Sequence, residues 1–217
     1  MFNFHPHIMG FDDSRQSSTP PPIRRIAPAK RLFDVAGALL LLVPLAGFAL
    51  LLCCLNPFLN QGPLWFVQRR MGYRCRPFMA VKFRSMTGET GAQRGAFDRL
   101  DADRITGLGQ FLRKTRIDEL PQIINVLRGE MSLIGPRPDS YDHARVYLET
   151  VPGYRQRHQI VPGISGYAQT EVGYVDGLDG LRQKVAADLY YAAHATLRFD
   201  LWITWRTLVV VLLRHGA

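Results

Sequence analysis

The chain has 217 residues, enough for one domain or for one domain with extensions. It carries 27 Lys and Arg against 18 Asp and Glu, and the net charge of +9 points to an anionic partner: lipid headgroups, a phosphorylated substrate or nucleic acid. Three cysteines, two of them adjacent (Cys53 and Cys54), exclude a disulfide framework, and no residue spacing suits a zinc site.

Residues 1–29 lack a sustained apolar period and end in Pro20-Pro21-Pro22, which reads as a mobile tail with a stiff, extended linker. No apolar core follows a short basic start, so the tail is not read as a secretory signal. Val35 to Leu55 is 21 residues without a formal charge, close to the ~20 needed to span a bilayer. Pro44 near its middle removes a backbone hydrogen bond and predicts a kink. Arg24, Arg25, Lys30 and Arg31 precede this run, and Arg69, Arg70, Arg74 and Arg76 follow it. Cytoplasmic sides collect Lys and Arg, so basic flanks at both ends favour a re-entrant hairpin over residues 30–60. Each arm would be about ten residues, or ~15 Å of helix. A straight span and a buried core helix are the alternatives.

Leu64–Arg70 and Phe78–Phe83 read as two short strands of an antiparallel hairpin around Gly72–Pro77. Lys82 and Arg84 alternate with apolar neighbours and are candidates to meet phosphates from one strand face; a solvated basic face is the other reading. Residues 87–104, polar and of mixed charge, read as a loop and candidate lid. Leu108, Phe111, Leu112 and Thr115 begin an amphipathic helix.

The stretch from Arg113 to Pro138 organises the rest. Arg113, Lys114 and Arg116 come just before two adjacent carboxylates, Asp118 and Glu119. Leu120, Ile123, Ile124 and Leu127 then form one helical face, with Gly129 as its stop. Asp118 or Leu120 is a candidate N-cap, with Pro121 in the first turn. The pair would thus lie at a helix N-terminus beside fixed cations, an arrangement that suits phosphate. A carboxylate in a phosphate site is a poor ligand but a candidate nucleophile. The simpler reading makes Asp118 only a cap and Glu119 only a complement to the dipole. A rigid turn, Gly135-Pro136-Arg137-Pro138, follows. Tyr141–Tyr154 reads as a helix, and Val161–Gln169 as a Gly-rich turn leading to an aromatic position. The C-terminus, Leu197–Arg214, is apolar but interrupted by Asp200 and Arg206, and Trp202 and Trp205 suit a headgroup region, so an interfacial helix is expected; a buried core helix has the same periodicity.

The run from Arg116 through Pro138 closely resembles the signature of the bacterial sugar transferases, the monotopic phosphoglycosyl transferases. The resemblance covers about Lys30 to Ala217. Lys82-Phe83-Arg84-Ser85-Met86, Pro162-Gly163-Ile164-Ser165-Gly166-Tyr167-Ala168-Gln169 and Asp188-Leu189-Tyr190-Tyr191 also resemble family segments. Two departures stand out: Val43 precedes Pro44 where relatives often carry Ser, and Thr170–Tyr174 replaces an Asn-Gly-Arg type of ending, which bears on sugar specificity.

The resemblance implies an α+β, predominantly helical fold with a re-entrant membrane helix, a small antiparallel β-hairpin and an interfacial C-terminal helix. It implies a cytosolic catalytic domain over 61–217, held on the cytoplasmic face of the bacterial inner membrane. The implied reaction moves a sugar phosphate from a nucleotide diphosphate sugar, most simply a UDP-sugar, to polyprenyl (undecaprenyl) phosphate, initiating a cell-surface polysaccharide or glycoconjugate. Asp118 is implied as nucleophile and Glu119 as a ligand of Mg²⁺. Arg113, Arg116 and Arg137, with Lys82 and Arg84, are candidate substrate contacts, and the cations are expected to keep Asp118 ionised. The competing readings are direct transfer in a ternary complex, a membrane-anchored scaffold, and a nucleic-acid-binding protein, for which no recognised motif is present. The sequence is compatible with a homo-oligomer and names neither the sugar nor the nucleobase.

Overall fold

The computed structural model describes residues 28–60, 62–87, 95, 104–173 and 177–212. The expected N-terminal tail up to residue 27, most of the 87–104 loop, Tyr174 and the last residues of the C-terminal run lie outside them.

Helix α1 (Pro28–Leu59) contains 32 residues and continues through Pro44 and Pro57. By length and composition it could cross a membrane. Ala38, Leu45 and Leu52 recur every seven residues on its buried face, while Leu40, Val43, Leu50 and Phe58 are exposed. Polar residues tie both of its ends to the rest of the protein. Near the start, Arg31 donates to the carbonyls of Val126 (2.6 Å) and Leu127 (2.9 Å), and Asp34 accepts from the Ser132 hydroxyl (2.9 Å) and the Leu133 amide (3.0 Å). Near the end, Asn56 donates to Gly62 O (2.6 Å) and Asn60 to Arg84 O (2.7 Å), while Thr106 donates to the Asn60 side chain (2.9 Å).

Strands β1 (Trp65–Met71) and β2 (Pro77–Phe83) form the expected antiparallel hairpin. The register pairs Phe66 with Lys82, Gln68 with Ala80 and Arg70 with Phe78, so these six side chains share one face. Helix α2 (Gly107–Lys114) is capped by Thr106, whose hydroxyl accepts from Gly109 N at 2.9 Å.

The segment after α2 differs from the single helix expected there. Arg116 adopts the left-handed conformation (φ 59°), a 3-10 helix covers Ile117–Gln122, and α3 is only Ile123–Arg128. Neither Asp118 nor Leu120 is a cap: Arg116 precedes the 3-10 turn and Gln122 precedes α3. Pro121 lies inside the 3-10 segment and leaves one backbone bond of that turn unmade. Gly129 ends α3 at φ 81°, as its lack of a side chain permits. Ile123 and Val126 are fully buried beside Ala38, Phe83, Leu112 and Met131. Asn125 is buried among them; its amide donates to Met79 O (2.8 Å) and Glu130 (2.7 Å) and its oxygen accepts from Val81 N (3.1 Å). It thereby docks α3 on β2.

Two three-residue strands, β3 (Ser132–Ile134) and β4 (Gly163–Ser165), pair in parallel. Their contact requires glycine: a Cβ on Gly163 would stand 2.1 Å from Gly135 N, and one on Gly166 2.2 Å from Gly135 O. The Gly-rich turn is therefore pressed against the Gly-Pro-Arg-Pro turn. Helix α4 (Tyr141–Thr150) packs through Ala144 and Tyr147 on Met71, Tyr154, Leu181 and Val185. After the short α5 (Tyr167–Glu171) come α6 (Gly177–His194) and α7 (Leu197–Leu212), the last of the described residues. Within α7, Asp200 and Ile203 are fully buried, whereas Leu201, Trp202, Trp205 and Leu208 are exposed. The fold is predominantly helical with a small antiparallel hairpin, as expected, and carries in addition the parallel pair β3–β4.

Candidate active site

The 3-10 turn presents Asp118 and Glu119 to the floor laid by β2, and both are buried (7% and 4% exposed). Their surroundings differ sharply. Glu119 is held from three sides. Lys82 Nζ donates to Oε1 at 2.8 Å, Arg137 Nη1 to Oε2 at 2.6 Å, and Arg137 Nη2 also bonds Oε1. Arg116 lies 3.8 Å from Oε2. The Arg137 contact is the bidentate fork that guanidinium and carboxylate make best. Asp118, one residue earlier, has a buried Oδ1 with no hydrogen-bond partner.

The electrostatics follow. Burial works to raise the Glu119 pKa, but Arg137 and Lys82 outweigh it and hold the carboxyl well below its ordinary range. Asp118 moves the other way: burial first, then the adjacent Glu119 charge, raises its pKa, and Lys82, Arg137 and Arg113 oppose this without cancelling it. The cations oppose this rise at Asp118 without reversing it. They are spent mainly on Glu119. Burial pushes Lys82 down to about 8, against the pull of Glu119, and so leaves it largely charged at neutral pH.

Five of the sequence-derived candidates meet here besides Asp118 itself: Lys82, Arg113, Arg116, Glu119 and Arg137. Arg113, in the last turn of α2, directs Nη1 to Met86 Sδ (3.5 Å) and adds its charge near Asp118. Arg84 is not brought to the pair. It lies just beyond β2, and its Nε donates to Pro63 O at 3.0 Å, fastening the loop at the end of α1.

Arg70 joins the cluster and was missed. Its guanidinium bonds Pro138 O and Gln68 Oε1 (2.8 and 3.1 Å), and its charge is felt by Glu119 and Asp118. Burial lowers its pKa to about 10. The signal was present: strand alternation and hairpin register place Arg70 on the same face as Lys82. Behind Arg137 lies a second ionic group that no local pattern reveals. Arg157, 1% exposed, donates to Asp139 (2.6 Å) and to the carbonyl of Arg137 (2.8 Å), pairs ionically with Asp188 (2.7 Å), and the Tyr154 hydroxyl donates to Asp139 (2.7 Å).

Five cations, Arg70, Lys82, Arg113, Arg116 and Arg137, therefore surround two carboxylates, one neutralised and one with an unpartnered oxygen. That composition suits an anionic, phosphate-bearing ligand.

Comparison with known proteins places this site in a family. The sequence pattern described as "Bacterial sugar transferase" matches residues 25–214, and the chain belongs to that family. It is 39% identical over 202 residues to the UDP-N-acetylgalactosamine-undecaprenyl-phosphate N-acetylgalactosaminephosphotransferase of Aeromonas hydrophila, covering 93% of this chain and 47% of that protein. It is 38% identical over 191 residues to the exopolysaccharide production protein PSS of Rhizobium leguminosarum bv. phaseoli, covering 85% of this chain and 96% of that one. It is 39% identical over 196 residues to the UDP-glucose:undecaprenyl-phosphate glucose-1-phosphate transferase of Caulobacter vibrioides, covering 88% and 70%. The chain thus spans about half the length of the Aeromonas relative and nearly all of the Rhizobium one.

Proposed function

We propose that this protein transfers a sugar phosphate from a nucleotide diphosphate sugar, in the first instance a UDP-sugar, to polyprenyl phosphate at a membrane surface, through a covalent intermediate on Asp118. The observation that carries this reading is the division of labour between neighbours: Glu119 is saturated by Lys82 and Arg137, while Asp118 keeps a buried oxygen free.

A carboxylate approaching a diphosphate meets like charge. At ~4 Å and an effective dielectric near 20, each unit pair costs up to about 4 kcal/mol. The cation ring supplies the counter-charge in fixed positions, which is the condition for electrostatic stabilisation of a transition state. In the first step an Asp118 oxygen forms a bond to the sugar-bearing β-phosphorus. The bond from that phosphorus to the bridging oxygen breaks, and nucleoside monophosphate leaves with that oxygen. In the second step a phosphate oxygen of the polyprenyl carrier bonds to the same phosphorus, and the bond to Asp118 breaks, restoring the carboxylate. Arg137, Arg116 and Arg113 bind the donor phosphates, and Lys82 holds Glu119 in place. Burial raises the Asp118 pKa, which makes its carboxylate a stronger nucleophile while it is ionised.

Magnesium belongs to the same proposal. Asp118 offers one unpartnered buried oxygen, which suits an ion that arrives on the diphosphate. Mg²⁺ is commonly held by one or two carboxylates together with phosphate oxygens and water. Asp118 would hold it directly, Glu119 would join only by giving up part of its contact with Lys82 or Arg137, and the ion would neutralise charge on the transferred phosphoryl group.

The membrane placement rests on α1 and α7. Both ends of α1 bond to one body, in which Phe83, Val126 and Met131 share a core. A straight crossing would put those two sets of contacts on opposite sides of the bilayer, so we read α1 as re-entrant from the cytoplasmic face. The exposed Trp202, Trp205 and Leu208 of α7 suit the headgroup region.

Release of nucleoside monophosphate tests the function. Purified protein in detergent with Mg²⁺, a panel of UDP-sugars and undecaprenyl phosphate is expected to release UMP with one donor, and only while the chain carries Asp118. Absence of release from every nucleotide sugar, or release that survives Asp118→Asn, contradicts the proposal.

A further inference from the structure

Arg137, like Arg116, stands outside the helices, the strands and the 3-10 segment, and it alone lies between two prolines. Prolines on both sides fix its backbone φ neighbours but supply no N–H to anchor the turn. The anchoring comes from elsewhere, and it is complete. The Arg137 carbonyl accepts from Arg157 Nη2 (2.8 Å), the Pro138 carbonyl from Arg70, and the Asp139 carbonyl from Met71 N (3.1 Å). Three consecutive carbonyls are thus held by three separate donors. The Asp139 side chain is held as well, by Arg157 (2.6 Å) and Tyr154 (2.7 Å).

Arg157 is the hub. It is 1% exposed, reaches the Arg137 carbonyl and Asp139, and is itself oriented by Asp188 of α6 at 2.7 Å. Its guanidinium also lies over the Tyr154 ring, 5.1 Å from the centroid. It touches neither Asp118 nor Glu119. We infer that Arg157 is a positioning residue for the donor-phosphate side of the site: it fixes the backbone of Arg137, so that the Arg137 fork meets Glu119 and the incoming diphosphate in one geometry. A planar guanidinium suits this task, because its donors lie in a fixed fork that reaches two carboxylates and one carbonyl together; an ammonium at the same place is a point charge and cannot.

The inference rests on the proposed function and is tested by a cycle of variants on the full chain. Arg157→Lys keeps the charge and loses the fork. It is expected to raise KM for the UDP-sugar about tenfold, the scale of one hydrogen bond involving a charged group, and to leave KM for undecaprenyl phosphate within about twofold. In an Arg137→Ala background the same change is expected to add less than about twofold, because the residue it positions is gone. Losses in kcat/KM that multiply across the two backgrounds, or KM increases of equal size for donor and acceptor, overturn the inference and assign Arg157 to general stability. Tyr154→Phe, which removes one hydrogen bond from Asp139, provides the same cycle with a milder change should Arg157→Lys fail to fold. Wild-type protein that releases no nucleoside monophosphate overturns the parent reading as well; turnover with multiplicative losses overturns only this one.

Discussion

Lys82 Nζ stands 2.8 Å from Glu119 Oε1, joining the penultimate residue of β2 to the 3-10 turn across 37 positions of sequence. With the Arg137 fork on the same carboxylate, this contact makes Glu119 the electrostatic keystone of the site. Removing one partner of a buried ionic group leaves the others buried and unpaired, at a cost of about 3–5 kcal/mol. Glu119→Ala is therefore expected to lower unfolding stability on that scale, and Glu119→Gln by less, since an amide still accepts one hydrogen bond. Denaturant unfolding in detergent measures both; a change under about 0.5 kcal/mol for the alanine variant contradicts the assignment.

Asp118 is expected to behave in the opposite sense. Its pKa is raised in the folded protein, so the ionised side chain costs stability at neutral pH. Asp118→Asn removes that cost. Turnover should fall by about 10³-fold or more, as when a nucleophile is deleted, while the melting temperature stays level or rises. A fall in melting temperature that matches the loss of activity would mean that the aspartate serves the fold instead.

His158 predicts an acid limit to stability. It is buried, with Nε2 unpartnered, and burial together with Arg157 lowers its pKa to about 4 from the ordinary 6.5. Between those values the unfolded chain takes up a proton that the folded chain does not. Stability contributed by the neutral ring is present above about pH 6.5, declines as pH falls, and is exhausted near pH 4. The total is about 3 kcal/mol at most. His158→Gln should flatten this part of the profile; an unchanged slope between pH 6.5 and 4 would place the acid sensitivity in other groups.

The topology of α1 is open to chemical labelling. In a background with Cys53, Cys54 and Cys75 replaced by serine, single cysteines at Pro28 and Pro63, both exposed, flank the helix. Both are expected to react with a membrane-impermeant maleimide in inverted inner-membrane vesicles, and neither in right-side-out vesicles. Reaction of the two from opposite faces would establish a straight crossing.

The parts of this molecule that were legible in sequence are those whose signal is local. Asp118 and Glu119 announce themselves by adjacency and by Arg113 and Arg116 a few residues away. The hairpin was legible from two short apolar runs around Gly72, and Gly129 marked the end of α3. The 3-10 turn was misread as part of an α-helix because Leu120, Ile123, Ile124 and Leu127 keep helical spacing, which does not distinguish a 3-10 turn leading into a helix from a helix already begun. The pairing of β3 with β4 was invisible: three-residue strands carry no period, and Ser132 and Gly163 lie far apart in sequence. The same distance hid Arg157, whose partners lie in two other segments: the Arg137–Asp139 turn and Asp188 of α6. Arg84 shows the converse error. Its alternation with Lys82 was real, but the strand ends at Phe83 and the side chain turns to Pro63.

The central claim is that Asp118 carries the phosphosugar between donor and acceptor. Its most direct test is intact-protein and peptide mass spectrometry after incubation with Mg²⁺ and each UDP-sugar in turn, without polyprenyl phosphate. A phosphosugar mass on the peptide containing Asp118, formed with one donor and discharged when undecaprenyl phosphate is added, is the predicted result. Release of UMP that requires both substrates together, with no adduct at any donor concentration, would contradict the covalent account and establish direct transfer in its place.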